Sequence, residues 1–349
     1  MKTIFIVDDN KSNLYSAKTA LEGVYRTYAL LSADRMFKIA DKITPDLILL
    51  DIDMPETDGF EAMRILKSDD RWREIPVVFL TSRNDAEAEI HGFEMGALDF
   101  ISKPISPPVL IKRIETHLET DKIIKESQKA LRIIHNATIS VIADLVETRD
   151  ETTGGHVERT QVYLELIVKE LIRTGTYKDE VSEWDINVLL PSAQLHDVGK
   201  IGISDFILNK KSRLTSEEFE AIKQHCEIGE RVISRIIERT DDDISLQHAK
   251  RFAAYHHEKW DGTGYPRGLR GEEIPLEGRI MAIADVYDAL VSERPYKEPF
   301  SHEEAVEIIR ADSGRHFDPK IAEAFLNVAE DFWVEMTLSG IKEKWGINE

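Results

Sequence analysis

The chain has 349 residues, 42% hydrophobic and 32% charged, which is enough apolar material for more than one core and implies two or three domains. Its 45 Lys and Arg against 65 Asp and Glu leave a net charge of −20, which excludes general binding to DNA, RNA or an anionic membrane. A lone cysteine, Cys226, excludes an internal disulfide, and no stretch reaches the roughly 18 apolar residues of a membrane span, so the expectation is a soluble, cytoplasmic protein.

The apolar run at residues 3–7 stops at Asp8-Asp9, too early for a signal peptide, and reads instead as a first strand. Residues 46–50 and 76–80 likewise read as strands whose apolar residues, 47–50 and 76–80, run without alternation, the mark of parallel strands buried on both faces. Residues 12–22, 34–43, 59–67 and 85–95 carry helical periodicity, 98–101 reads as a last strand and 107–118 as a last helix. This alternation predicts a doubly wound, five-stranded parallel α/β sheet over 1–118. Residues 119–145 stay helical without Pro or Gly. There Ile124, Ser127, Leu131, Ile134, Thr138, Val141 and Leu145 recur at alternating spacings of three and four, forming a helical linker whose seam either pairs with a second copy or docks on its own domain. From 146 to 349 the pattern is almost entirely helical, predicting an all-α domain with loops near 153–155, 261–271 and 294–299.

Functional groups of an open parallel sheet gather beyond the carboxyl ends of its strands. Asp8 and Asp9 follow the first strand, Asp51 the third, Thr81 the fourth and Lys103-Pro104 the fifth. Three carboxylates brought together repel one another unless a divalent cation lies among them, and an all-oxygen set favours Mg²⁺. A carboxylate so neutralised can attack a phosphoryl donor, with the Thr81 hydroxyl and Lys103 ammonium binding the transferred group. With Asp51-x-x-Met54-Pro55 and Gly59, these residues resemble response-regulator receiver domains across residues 1–118. The resemblance implies Asp51 as phosphoacceptor, Asp8, Asp9, Asp51 and the backbone carbonyl of Asp53 as Mg²⁺ ligands, Phe100 at the aromatic switch position beside Thr81 and Lys103, and a sensor histidine kinase as phosphodonor.

Eleven histidines are present, and His91, His117, His135, His248, His302 and His316 read as surface or satisfied core residues. The other five form a spaced series with two acids: His156, His196-Asp197, His225, His256-His257 and Asp285. Imidazole and carboxylate suit Mn, Fe, Ni or Zn, and an Asp between two metals can bridge them with its two oxygens. Such a pair lowers the pKa of a bound water and stabilises an in-line phosphoryl displacement, so phosphoester hydrolysis is the chemistry implied. Lys200, three and four residues after Asp197 and His196 in a stretch read as helical, shares their face and can reach a phosphate oxygen.

The pattern comprises His196-Asp197-Val198-Gly199-Lys200-Ile201-Gly202, then His225, His256-His257-Glu258-Lys259-Trp260-Asp261-Gly262-Thr263-Gly264-Tyr265-Pro266, Ala284-Asp285-Val286-Tyr287-Asp288-Ala289-Leu290 and Arg294-Pro295-Tyr296-Lys297. As a set they resemble the HD-GYP family of HD-superfamily metal phosphohydrolases, over roughly 140–330. The resemblance implies hydrolysis of cyclic di-GMP to pGpG, which members of the family often carry on to GMP. It implies one metal held by His156, His196, Asp197 and Asp285 and a second by Asp197, His225, His256 and His257, iron or manganese in preference to zinc. Lys200 assists catalysis with Asp197, while Arg294 and Lys297 hold substrate phosphates and Tyr265 belongs to the recognition loop. Where some members bind a third metal through a Glu four residues before the first histidine, this chain has Thr152. The adjacent Glu151 is turned by about 100° on a helix, so two metals are expected.

The expected whole is a receiver over 1–118, a helical linker over 119–145 and an HD-type output domain over 146–349. Phosphorylation of Asp51 would control a cyclic di-GMP phosphodiesterase, with a homodimer formed through receiver and linker. Two alternatives stay open: an adaptor that binds nucleotide or protein without hydrolysis, and an HD enzyme acting on another nucleotide such as cyclic GMP-AMP.

Overall fold

Five short strands organise the first part of the chain. In the computed structural model, which describes residues 1–82, 86–149, 155–240, 243–292 and 298–345, the chain divides into two units, Met1–Leu131 and Arg132–Glu349. The first holds β1 (Thr3–Val7), β2 (Arg26–Leu30), β3 (Leu47–Asp51), β4 (Val77–Thr81) and β5 (Asp99–Ser102) in one parallel sheet of order β2-β1-β3-β4-β5. Helices α1 (Lys11–Leu21), α2 (Ala33–Ala40), α3 (Gly59–Ser68), α4 (Ala86–Glu94) and α5 (Pro107–Glu147) alternate with them.

Successive strand residues point to opposite faces. Phe5, Val7, Ile48, Leu50, Val77 and Phe79 therefore join Met36, Met63 and Trp72 in one core, and Ile4, Ile6, Leu47, Leu49, Val78 and Leu80 join Leu14, Leu21, Leu110 and Ile114 in the other. Both faces being covered explains why these strands read as unbroken apolar runs. The edge strand β2 has no such run; its Arg-Thr-Tyr-Ala-Leu sequence is only part-buried, so it carries no span among those expected from sequence. Strand order reverses between β1 and β3, and Asp8 and Asp51 stand at the carboxyl ends of these two strands.

No break occurs at residue 118: the helix expected over 107–118 and the linker expected over 119–145 lie within α5. Asp99 of β5 pins its early turns by accepting from Arg113 Nη1 at 2.7 and 2.8 Å, with His117 Nε2 2.9 Å away. The seam residues Ile124, Leu131, Ile134, Val141 and Leu145 are all exposed. A neighbouring face, Ile139, Ala143 and Val146, is the buried one.

The second unit is helical: α6 (His156–Thr174), α7 (Lys178–Val181), α8 (Ile186–Ala193), α9 (Asp205–Leu208), α10 (Ser216–Ile237), α11 (Ile244–Tyr255), α12 (Leu276–Val291), α13 (His302–Ala311) and α14 (Pro319–Trp345), with 3-10 turns at Val198–Gly202 and Gly271–Glu273. Its described residues form only two isolated β-bridges. Among them α12 is buried nearly all round, its Glu277, Arg279 and Asp288 included. It packs against α6 and α14 through a cluster in which Tyr163 stacks on Phe332 at 4.5 Å and Tyr287 meets Phe332 edge-on. The stretch carrying Lys200 is a 3-10 turn and not an α-helix. This turn lies so close to α10 that a Cβ on Gly199 would sit 1.8 Å from the His225 carbonyl oxygen. No helix among the described residues is long and apolar enough to cross a membrane.

Candidate metal centre and phosphoacceptor pocket

Four helices and one turn bring the histidine and aspartate series together. His156 opens α6, His196 and Asp197 lie between α8 and the 3-10 turn, His225 is inside α10, His256 caps α11 with His257 next to it, and Asp285 projects from α12. Two groups result, His156 with His196 and Asp285, and His225 with His256 and His257, each with ligand atoms within 4.8 Å of one another. His156 Nε2 lies 3.3 Å from His196 Nε2 and 3.6 Å from Asp285 Oδ1. His225 Nε2 lies 3.2 Å from His256 Nε2.

Asp197 stands between the groups. Its Oδ2 is 3.4 Å from His196 Nε2 and 2.9 Å from Lys200 Nζ, while its Oδ1 is 3.4 Å from His225 Nε2 and 3.7 Å from His256 Nε2. Oδ1 is buried and has no hydrogen-bond partner among the described residues. A buried carboxylate oxygen facing imidazole nitrogens without bonding them is costly unless something else binds it. Divalent metals fit that requirement and this mixed nitrogen and oxygen donor set. Burial alone would raise the Asp197 carboxyl, but the Lys200 and His196 charges hold it well below the usual carboxylate range.

The far sides of the rings are held too. His196 Nδ1 faces Ala193 O at 2.9 Å, His225 Nδ1 faces Ile222 O at 2.8 Å and His256 Nδ1 faces Phe252 O at 2.9 Å. Each carbonyl anchors the Nδ1 side of its ring, so that Nε2 points inward. Burial pushes His225 down to about 4 and, with repulsion from His256 and His225, pushes His257 well below its ordinary value. His156 moves the other way: burial would lower it, but Asp288 and Asp285 outweigh burial and raise it.

Several supporting residues had no role in the sequence reading. Asp288, buried one helical turn after Asp285, receives His156 Nδ1 at 2.8 Å and Arg159 Nε at 2.7 Å. The available signal was a second acid at i+3 in the otherwise apolar stretch from Ile280 to Val291. Glu258, also buried, accepts the backbone N–H groups of Arg267 at 2.7 Å and Leu269 at 3.0 Å, organising the loop that carries Gly264 and Tyr265. A Cβ on Gly264 would lie 2.3 Å from Lys259 N, so that loop closes only around glycine. Tyr265 lays its ring over His257 at 4.8 Å, with Lys223 Nζ 5.5 Å from the ring centre. Arg294, Lys297, Thr152 and Glu151 lie outside the described residues.

In the first unit, Asp8, Asp9 and Asp51 offer oxygens within 4.8 Å of one another, which fits a hard cation with oxygen ligands. Lys103 Nζ sits 2.7 Å from both Asp8 Oδ2 and Asp51 Oδ1. Burial raises the Asp51 carboxyl, and the Asp8 and Asp9 charges add to it against the hydrogen bond from Lys103. Asp53 is exposed two residues further on, and Thr81 is buried. Phe100 packs between Phe79 at 5.3 Å and Phe93 at 4.9 Å. A Cβ on Gly59 would lie 2.3 Å from the Asp51 carbonyl oxygen, so glycine lets α3 start against the loop that follows Asp51.

Comparison with known proteins assigns both units. A family model described as HD domain matches residues 140–321, and one described as response regulator receiver domain matches residues 4–115. A probable cyclic di-GMP phosphodiesterase of Vibrio cholerae serotype O1 is 40% identical over 346 residues, covering 95% of this chain and 78% of the relative. The cyclic di-GMP phosphodiesterase response regulator RpfG of Xanthomonas campestris pv. campestris is 36% identical over 295 residues, covering 80% and 75%. A 3'3'-cGAMP-specific phosphodiesterase 2 of Vibrio cholerae serotype O1 is 40% identical over 191 residues, covering 55% and 34%.

Proposed function

The chain belongs to the HD domain family and carries a response regulator receiver domain, and from that premise we propose that it is a phosphorylation-controlled, metal-dependent phosphodiesterase that cleaves cyclic di-GMP to pGpG and onward to GMP. The observation that carries this reading is Asp197, whose two oxygens face the two histidine groups separately. In this reading His156, His196, Asp197 and Asp285 would hold one divalent ion and Asp197, His225, His256 and His257 a second, iron or manganese in each. Two such ions would supply a water of lowered pKa and charge stabilisation for the entering and leaving oxygens of an in-line displacement.

The chain's own residues bind and orient. Nδ1 contacts behind His196, His225 and His256 turn their Nε2 atoms toward the centre, and Asp288 with Arg159 fixes the His156 ring. Lys200, held against Asp197 Oδ2, places a cation where a phosphate oxygen of the substrate enters. Tyr265, stacked beside His257, offers an aromatic surface for a base. Arg294 and Lys297 would hold the remaining phosphate charge, which is how a chain of net charge −20 takes a dianionic ligand.

The receiver pocket would take Mg²⁺ on Asp8, Asp9, Asp51 and the Asp53 carbonyl, with Asp51 phosphorylated by a sensor histidine kinase in the cytoplasm and Thr81, Lys103 and Phe100 responding. The boundaries are 1–118, 119–145 and 146–349. The exposed seam from Ile124 to Leu145 supports a homodimer through the linker. A second substrate, cyclic GMP-AMP, is kept because a relative of that specificity is 40% identical over 191 residues. The test is metal analysis of anaerobically purified protein with product analysis on both dinucleotides. Two metals per chain and linear products from cyclic di-GMP are expected, and metal-loaded protein that leaves it intact refutes the assignment.

A further inference from the structure

Helix α6 begins after Gly155, whose left-handed backbone (φ 71°) provides no side-chain cap, so its first N–H groups need acceptors from elsewhere. Glu147, the last residue of α5, supplies one: its Oε1 accepts the His156 backbone N–H at 2.9 Å. A carboxylate there also complements the positive end of the α6 dipole. Two residues on, Arg149 donates from Nη1 to Ile201 O at 2.8 Å, from Nη2 to Ile203 O at 3.2 Å and from Nη2 to Asp205 Oδ1 at 2.6 Å. It thereby grips the segment that directly follows Lys200. Earlier on α5, Ser140 Oγ donates to Gln194 Oε1 at 2.8 Å, two residues before His196. Ile139 and Val146 pack in one cluster with Leu195 and Val198. Glu147 further lines a small cavity with His156, Asp197 and Lys200. Polar contacts from one helix end thus reach the segments bearing His156, His196-Asp197 and Lys200.

We propose that the end of α5 is a positioning element for the metal centre, with Glu147 and Arg149 as its positioning residues, and that the phosphorylation state of Asp51 acts on the centre by displacing this end. The proposal rests on the metal-centre reading above and names how control reaches it. α5 runs unbroken from Pro107 to Glu147 and starts four residues after Lys103, whose Nζ is 2.7 Å from Asp51 Oδ1. Arg113 and His117 on its early turns are held by Asp99. A shift of about 1 Å at Glu147 takes its bond to His156 out of hydrogen-bonding range. The start of α6 is then released, and with it the spacing of His156 Nε2 from His196 and Asp285.

The test uses the full chain stripped of metal and titrated with Mn²⁺ alone, with and without beryllofluoride as phosphoryl analogue on Asp51. Glu147→Ala and Arg149→Ala should each weaken Mn²⁺ binding by about 10- to 100-fold, the usual effect of losing a support behind a ligand, while Glu147→Gln, which keeps an acceptor oxygen, stays within about threefold. The change in Mn²⁺ affinity on adding beryllofluoride should disappear in Glu147→Ala. Hydrogen exchange should show the His156 amide protected in the native chain and the Gln variant and released in the Ala variant, with amides of β3 and α12 unchanged. If those core amides also exchange, Glu147→Asp, shorter by one methylene, is read in its place. Native Mn²⁺ affinity in Glu147→Ala with a protected His156 amide overturns the positioning role. A beryllofluoride response that survives in both Ala variants, or is absent from the native chain, overturns the transmission. Protein that binds Mn²⁺ yet leaves cyclic di-GMP intact refutes the substrate and not this proposal, whereas failure to bind Mn²⁺ at all sinks both.

Discussion

Asp288→Ala is the sharpest single perturbation of the centre that spares every proposed ligand. The buried Asp288 carboxylate receives His156 Nδ1 at 2.8 Å and Arg159 Nε and Nη2 at 2.7 and 3.1 Å. Removing it leaves the largely buried Arg159 charge without this partner and the His156 ring without its rear acceptor. Breaking a buried ion pair from one side costs about 3–5 kcal/mol. Asp288→Asn keeps one acceptor oxygen and should cost about 1–3 kcal/mol, the worth of a hydrogen bond to a charged group. At about 2–4 °C per kcal/mol for a domain of this size, the Ala variant should melt roughly 10 °C below the native protein. His156 is then free to turn, and Mn²⁺ binding should weaken by about 10- to 100-fold. Calorimetry of metal-free and Mn²⁺-loaded protein reads both effects. A metal-free Ala variant melting within about 2 °C of native, with native Mn²⁺ affinity, refutes the reasoning.

Gly199→Ala places a Cβ 1.8 Å from the His225 carbonyl oxygen. It should destabilise the protein by about 1–3 kcal/mol or more and lower metal content, and a stable, fully loaded variant would contradict the packing argument. Burial holds the folded His225 imidazole near about 4. The unfolded ring takes up its proton at about 6.5, so stability of the metal-free protein falls as pH drops from there toward 4, by up to about 3 kcal/mol for this group. His225→Gln should flatten that part of the pH–stability curve, and an unaltered curve counts against it. Asp51→Asn should abolish phosphate incorporation from a small phosphodonor such as acetyl phosphate while Asp53→Asn retains it; the reverse pattern moves the phosphoacceptor to Asp53.

Much of the fold was readable because burial on both sheet faces writes itself into the chain: β1, β3 and β4 are unbroken apolar runs with Asp8, Asp51 and Thr81 at or just past their ends. Strand β2 escaped because an edge position needs no such run. The helical reading of 119–145 was legible because no glycine or proline interrupts that stretch, which lies within α5. For the seam from Ile124 to Leu145, periodicity left open whether it docks on its own domain, and burial shows that a neighbouring face does so instead.

The chemical inventory of the protein lies in its sequence alone: five clustered histidines with Asp197 and Asp285, the acids ending the receiver strands, and Lys200 three residues past Asp197. Those are matters of side-chain type and local spacing, which the covalent chain already contains. Only the tertiary structure decided that Asp197 turns one oxygen toward each histidine group, that Asp288 stands behind His156, and that Glu147 caps the helix His156 begins. The last two relations join residues 132 and 9 positions apart, and Asp197 meets His225 from 28 positions away, through angles and distances set by helix packing, for which no local pattern along the chain carries a signal.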